Sequence, residues 1–136
     1  MACSSNNPEP SLEGLESRAE AYFEAARDWK FLDMYRFYPA EFKDVCTPKE
    51  FADEVRTAFE EIQEAMKGMN ADADGFVDYE VIDVRIEGTD GLHGLNMLYK
   101  GDVVFTLSEP EDLVEWSFVD GKWLYAAYDA ENCGDW

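Results

Sequence analysis

The chain is poor in basic residues. Only 11 of its 136 residues are Lys or Arg, against 31 Asp or Glu, so its formal net charge is -20. Proteins that bind nucleic acid draw much of their affinity from Lys and Arg side chains that neutralise phosphates, and the same side chains hold proteins on anionic lipid surfaces. The charge balance therefore argues against nucleic acid and against an anionic membrane surface as partners.

Long apolar runs are also absent, and no stretch approaches the roughly 20 residues that a membrane-spanning helix requires. High net charge is typical of disordered chains. Here, however, 46% of the residues are hydrophobic and 15% are aromatic, which is enough to build a packed core. The length suits one domain and is too short for two ordinary ones. We expect a tether over residues 1–10 and a single globular domain over residues 11–136.

Cysteine and histidine are scarce, with three cysteines, one histidine and no CxxC pair. Structural zinc sites take closely spaced Cys and His ligands as a rule, and this sequence has neither a CxxC pair nor a Cys/His cluster, so such a site is excluded. If Cys3 has another role, two cysteines remain. A Cys46–Cys133 disulfide would then close most of the domain and would indicate an oxidising compartment. The alternative is that Cys46 is a small buried apolar residue and that Cys133 is a free thiol.

Two helices are predicted at the start of the domain. From Ser11 to about Arg27, apolar residues recur at the spacing of one helix face. A short second helix is predicted over residues 29–38, with Asp28 as its cap and Pro39 as its end. The two helices could also be continuous.

A third helix is predicted from Thr47-Pro48-Lys49-Glu50 to about Met69. The four residues combine a capping-box pair with proline at the first helical position, which is a strong start signal. The acidic residues that alternate with its apolar stripe are interpreted as a solvated face.

The second half of the chain reads as β-strands. Apolar residues alternate in one phase up to Val81 and in the opposite phase from Ile82, which predicts a bulge at this point or a strand covered on both faces. Further strands are predicted over residues 92–99, 103–107, 113–119 and 122–128. Sequential hairpins join the first three strands, a loop over residues 108–112 follows, and the last two strands form a further hairpin, so an antiparallel meander is expected.

The last hairpin has the most specific prediction. Asp120-Gly121 suits a two-residue type I′ turn, which places Val119 opposite Lys122 and fixes the pairing of the strands. One face of this hairpin is then apolar, and we expect the helices to cover it. Its members are Val114, Trp116, Phe118, Trp123, Tyr125 and Ala127.

Helices followed by an antiparallel sheet define an α+β domain. The stretch RAEAYFEAARDWKFLDMY over residues 18–35, followed by PAEFK over residues 39–43, resembles the opening of the nuclear-transport-factor-2-like (NTF2-like, SnoaL-like) superfamily. The ending FVDGKWL over residues 118–124 is similar to that superfamily's final hairpin. The resemblance covers about residues 12–128. It implies a cone-shaped roll in which N-terminal helices pack in a curved antiparallel sheet, a pocket between the two, and frequent dimerisation through the open sheet face.

Members of the superfamily include isomerases and dehydratases of small polycyclic molecules and also domains without a catalytic role, and fold alone does not choose between them. The single histidine, His93, is the one candidate base, because its unperturbed pKa lies near neutrality. The competing interpretation is a partly solvated histidine at a hairpin end. The expected pocket is aromatic, with residues Tyr22, Tyr35, Tyr38, His93, Trp116, Trp123 and Tyr125.

The connector after the third helix, NADADGFVDYE over residues 70–80, resembles an EF-hand calcium loop. Its candidate ligands are Asn70, Asp72, Asp74, Phe76 (through its carbonyl) and Asp78. Val81 stands where the bidentate Glu would be, and a strand follows instead of a helix. A polar turn without calcium is the competing interpretation.

The amino end, MACSSNNPEP, resembles the start of a processed bacterial lipoprotein, with Cys3 as the lipidated residue and a Ser/Asn/Pro tether behind it. The alternative is an ordinary chain end in a cytoplasmic protein. The leading hypothesis is a non-catalytic, extracytoplasmic, lipid-anchored domain that binds a small apolar molecule or a protein partner, with a homodimer as one such partnership. The alternatives are a cofactor-independent isomerase or dehydratase with His93 as base, and a calcium-stabilised interaction module.

Overall fold

A computed structural model describes residues 9–69 and 77–126, and in these residues four helices precede a five-stranded sheet. The helices are α1 (Leu12–Arg27), α2 (Phe31–Tyr35), α3 (Ala40–Val45) and α4 (Pro48–Met69). The strands are β1 (Val77–Glu87), β2 (Asp90–Tyr99), β3 (Asp102–Leu107), β4 (Val114–Val119) and β5 (Lys122–Tyr125). The α+β class is confirmed, and the sheet is curled but not closed.

The start of α4 has the predicted capping box. The Thr47 hydroxyl accepts a hydrogen bond from the Glu50 backbone N–H at 3.2 Å, and the Glu50 carboxylate accepts one from the Thr47 N–H at 3.1 Å. Hydrogen bonding from Thr47 to the carboxylate, above all from its backbone N–H, lowers the pKa of Glu50. Two helix-terminal donors are thereby satisfied by local residues, which is why the sequence alone located this end.

The second short helix is confirmed after α1, but its predicted bounds and its predicted cap were wrong. Asp28 caps the end of α1, where its backbone N–H donates to the carbonyls of Ala26 and Glu24. It does not cap the start of the second helix, as the sequence predicted. Trp29 has a φ of 58°, a left-handed conformation that breaks any continuous helix. The second helix is therefore only five residues long, and a separate α3 follows Pro39.

The sheet is antiparallel, with the order β1-β2-β4-β5 and with β3 also paired to β2. One edge of β2 is shared by two strands: residues 95–99 pair with β3 and residues 90–93 pair with β4. The predicted hairpins β1–β2, β2–β3 and β4–β5 are confirmed, but the expected meander is wrong at β4, which pairs with β2 and not with β3. Because β2 has ten residues and β3 only six, β2 leaves an edge that β4 occupies.

The bulge in β1 is confirmed. The register with β2 shifts between Ile82 and Arg85, and Asp83 has a φ of 51°. The extra residue reverses the alternation, so Val81 and Val84 both pack against the core. The bulge thus lets both apolar phases of the strand face the helices.

The β4–β5 hairpin has the predicted register, with Val119 opposite Lys122 and Trp116 opposite Tyr125. Asp120 and Gly121 have φ values of 50° and 81°, both positive as a type I′ turn requires. Its described apolar face is covered as expected, because the hairpin packs against α1. The Tyr125 N–H also donates to the carbonyl of Phe37 at 2.7 Å, which ties β5 to the segment after α2.

Candidate functional site

Aromatic side chains pack together between α1 and the β4–β5 hairpin. Tyr22 of α1 is completely buried, and its ring stacks on Tyr125 with centroids 4.5 Å apart. The same ring meets Trp116 and Phe37 edge-on, at 5.7 and 5.5 Å. Together with Tyr38, these residues form what we call the ring cluster. Four of the sequence-predicted pocket residues thus contact one another directly.

The phenol groups of the ring cluster are hydrogen-bonded and protonated. The hydroxyls of Tyr22 and Tyr38 lie 2.7 Å apart. Burial raises the pKa of both well above the usual tyrosine value, and it raises the pKa of Tyr125 to about 12. At neutral pH these groups can donate and accept hydrogen bonds, but they cannot serve as bases.

His93 lies beside the ring cluster, completely buried on β2. The indole N–H of Trp116 donates to Nε2 at 3.0 Å, and Nδ1 lies 2.7 Å from the carbonyl oxygen of Gly94. Because the indole can only donate and the carbonyl can only accept, the proton must be on Nδ1. Burial lowers the pKa of His93, although the bond to Gly94 opposes the shift. The ring is neutral, with both nitrogens engaged, so the expectation of a partly solvated histidine was wrong.

Tyr35 is not part of this cluster. Its ring packs on Phe42 and Phe51, and its hydroxyl donates to the carbonyl of Cys46. Cys46 is buried and disulfide-bonded. The predicted partner, Cys133, lies outside the described residues, so the pairing stays a prediction.

The calcium loop falls almost entirely outside the described residues, which exclude Asn70, Asp72, Asp74 and Phe76. Asp78 is described at the start of β1, where its carboxylate accepts a hydrogen bond from the Tyr79 N–H at 2.8 Å. Residues 9–69 and 77–126 contain no group of three or more potential metal ligands. The calcium site stays a prediction, as does lipidation of Cys3, which also lies outside the described residues.

A cleft of about 730 Å³ opens at the turn end of the hairpin. Its walls are the first turns of α1, residues 36–43 and the turn end of β4–β5. We call it the basic cleft, because the described residues that line it include four basic side chains and two acidic ones, in a chain with 11 basic and 31 acidic residues. The cations are Arg18, Arg36, Lys43 and Lys122, and the anions are Glu9 and Asp120.

Apolar side chains complete the basic cleft, among them Trp123, Phe118 and Leu124 from the hairpin. The sequence placed Trp116 and Trp123 in one pocket. In the structure, Trp123 lines the basic cleft and Trp116 lies in the ring cluster. The basic residues were missed. The scarcity of basic residues was the one signal in the sequence that could have indicated this cleft. In so acidic a chain, Arg18 on the predicted helix and Lys122 beside the predicted turn could have been proposed to line one site.

The chain matches no protein-family model, and comparison with curated proteins finds no matching relative.

Proposed function

We propose that the chain is a non-catalytic domain of the NTF2-like kind that binds a small, mainly apolar molecule in the basic cleft. Helices packed on a curled antiparallel sheet support the proposed family. The volume of the cleft, about 730 Å³, lies within the range of small-molecule sites. In the ring cluster, aromatic side chains fill the space between α1 and the hairpin. The basic cleft therefore has more space for a ligand than the ring cluster has.

The state of His93 is the observation that carries the non-catalytic assignment. A general base must reach a substrate proton with a free lone pair. In His93 the Nε2 lone pair accepts the Trp116 N–H, and Nδ1 already holds its proton. The alternative, an isomerase or dehydratase with His93 as base, would require this buried pair to separate first.

The proposed location is extracytoplasmic, with a lipid anchor on Cys3. A disulfide at Cys46 supports an oxidising compartment, because stable disulfides are rare in the cytosol. Within the described residues, no helix is long and apolar enough to cross a membrane. A calcium-stabilised module is the other alternative, and calcium would then raise the thermal midpoint of unfolding.

A protein partner is favoured by one observation, the exposed apolar side chains of the sheet. Val103 and Phe105 on β3 are each 53% exposed, and Val119 on β4 is 43% exposed. A homodimer through the sheet would cover such residues. Sedimentation analysis of the full chain would detect it.

The binding proposal can be tested with neutral ring compounds. We expect naphthalene, indole and biphenyl fragments bearing an amide to shift the ¹H–¹⁵N resonances of residues 118–124 and of the first turns of α1. Gly14→Ala, which narrows the cleft, should weaken the shifts. Shifts confined to other surfaces, or none at any fragment concentration, would contradict a ligand site in this cleft.

A further inference from the structure

The basic cleft contains a buried donor that lacks a partner. The indole N–H of Trp123 is enclosed, and it makes no hydrogen bond within the described part of the chain. Trp123 itself is only 2% exposed. A buried N–H without an acceptor costs about 1–3 kcal/mol. A ligand that brings an acceptor to this atom would recover that loss.

The donor lies beside Gly14 in the first turn of α1. A β-carbon built on Gly14 would lie 3.7 Å from Trp123 Nε1 and 3.0 Å from the Ser11 hydroxyl. Gly14 lies within the helix and does not have a positive φ, so its backbone does not require glycine. Glycine costs a helix up to about 1 kcal/mol relative to alanine. What it provides here is space in front of the indole N–H.

Arg18 supplies positive charge one helical turn further along the same face of α1. Its Nε donates to the Trp123 carbonyl at 3.1 Å, and its guanidinium lies 4.2 Å from the Phe37 ring centroid. Burial lowers the pKa of Arg18. Among the described residues it forms no ion pair with a carboxylate. A partly buried cation is thus held in place by a carbonyl and a ring without a counter-charge.

The surroundings strengthen the same preference. Lys122 and Arg36 are exposed at the walls of the cleft, and Arg36 has only a long pair with Asp33, at 3.9 Å. The N-terminal end of the 16-residue α1 also carries a partial positive charge. A neutral ligand would make no use of these charges, whereas a small anion would.

We propose that the ligand of the basic cleft is a small organic acid, with a carboxylate on an apolar ring body. One carboxylate oxygen accepts the Trp123 indole N–H in the space left by Gly14, and Arg18 supplies the counter-charge. The ring body packs on Phe118 and Leu124. This inference rests on the proposed function and specifies the chemical class of its ligand.

The test compares 1-naphthaleneacetate with its neutral isostere, 1-naphthaleneacetamide. Binding is followed through the indole ¹H–¹⁵N resonance of Trp123, assigned with Trp123→Phe. We expect the acid to bind about tenfold more tightly than the amide, since one charge-assisted hydrogen bond is worth at least that factor. The acid should also move the Trp123 indole resonance more than it moves the other indole resonances.

Three variants locate the effect. Gly14→Ala and Arg18→Gln should each remove the preference for the acid, and Lys122→Gln should reduce it. Arg85→Gln is the matched control, because Arg85 is exposed on β1 outside the cleft. Lys122 is exposed as well, so its variant gives an answer even if Arg18→Gln does not fold. Circular dichroism establishes folding of each variant.

The outcomes separate this inference from the proposed function. Equal binding of acid and amide in the cleft would overturn the carboxylate and leave the apolar-ligand proposal standing. Binding of neither compound would overturn both. Equal shifts with inorganic phosphate, or equal weakening by Arg85→Gln and Arg18→Gln, would mean that charge alone attracts the probe, and the inference would again be overturned.

Discussion

Trp116 and Trp123 make an instructive pair, because they lie on the same face of the same hairpin and differ in what their indoles do. Both are almost completely buried, at 1% and 2% exposure. The Trp116 N–H is bonded to His93 within the core, whereas the Trp123 N–H has no partner among the described residues. Burial by itself therefore does not distinguish a structural ring from a candidate site, but the state of the polar atom does.

The largest predicted effect is on stability at these two rings. Trp116→Phe leaves Nε2 of His93 without a donor and removes ring volume, so we expect a loss of about 2–4 kcal/mol in the free energy of unfolding. Trp123→Phe also removes ring volume, but it relieves the cost of a buried unpartnered donor, so we expect a smaller loss, at most about 1–2 kcal/mol. Urea denaturation of both variants measures the difference. Equal losses would contradict the comparison, because they would mean that the two indoles have equivalent environments.

Two glycines on either side of Trp123 give the next prediction. A β-carbon on Gly91 would lie 2.6 Å from a methyl of Leu15 and 3.0 Å from the Trp123 ring, and Leu15 is completely buried. We expect Gly91→Ala to cost about 1–3 kcal/mol through overpacking. Gly14→Ala should change stability by less than about 1 kcal/mol, because the gain in helix propensity is offset by the contact of the new β-carbon with the Ser11 hydroxyl, 3.0 Å away. Thermal unfolding of the pair tests this, and a large loss in Gly14→Ala would show that the space beside the indole is part of the core.

The smallest effect concerns pH. Because burial lowers the pKa of His93, the unfolded chain binds a proton near pH 6.5 that the folded chain does not yet bind. The free energy of unfolding should therefore fall as the pH drops below about 6.5, by at most about 1.4 kcal/mol per pH unit. The other titratable groups are the same in both proteins, so the contribution of His93 is read from the difference between wild type and His93→Gln.

Urea denaturation between pH 7.5 and 5 provides that difference. Gln can still accept the Trp116 N–H but has no proton to gain, so His93→Gln should lack the component that decreases toward acid. Identical pH profiles for the two proteins would show that His93 is not held neutral by the core.

Local signals explain what the sequence could predict. The Asp120-Gly121 turn fixed the hairpin register, Thr47 and Glu50 located the start of α4, and the phase change after Val81 located the bulge. In each case the residues that determine the structure lie within a few positions of one another, so the sequence alone shows which local interactions they make.

Non-local contacts explain what could not be predicted. The pairing of β4 with β2, and the bond from Trp116 to His93 across 23 positions, depend on how the sheet curls. The left-handed backbone of Trp29 could not be predicted from the sequence, because bulky residues rarely adopt that conformation. The basic cleft was also missed because it depends on non-local packing. Arg18 and Lys122 line the same cleft only after the hairpin has packed on α1.

The bulge at Asp83 makes the length of β1 as important as its composition. An Asn or Gly at this position could adopt the same positive φ and preserve the strand. Loss of the residue altogether would leave a regular strand in which Val81, Val84 and Ile86 still share one face and the pairs from Arg85 onward keep their register. A residue that cannot adopt a positive φ would instead straighten the strand at its full length and turn Val84 and Ile86 away from the helices. In variation among chains of this fold, we therefore expect Asp, Asn or Gly at this position in strands of this length, and other residues only in strands that are one residue shorter.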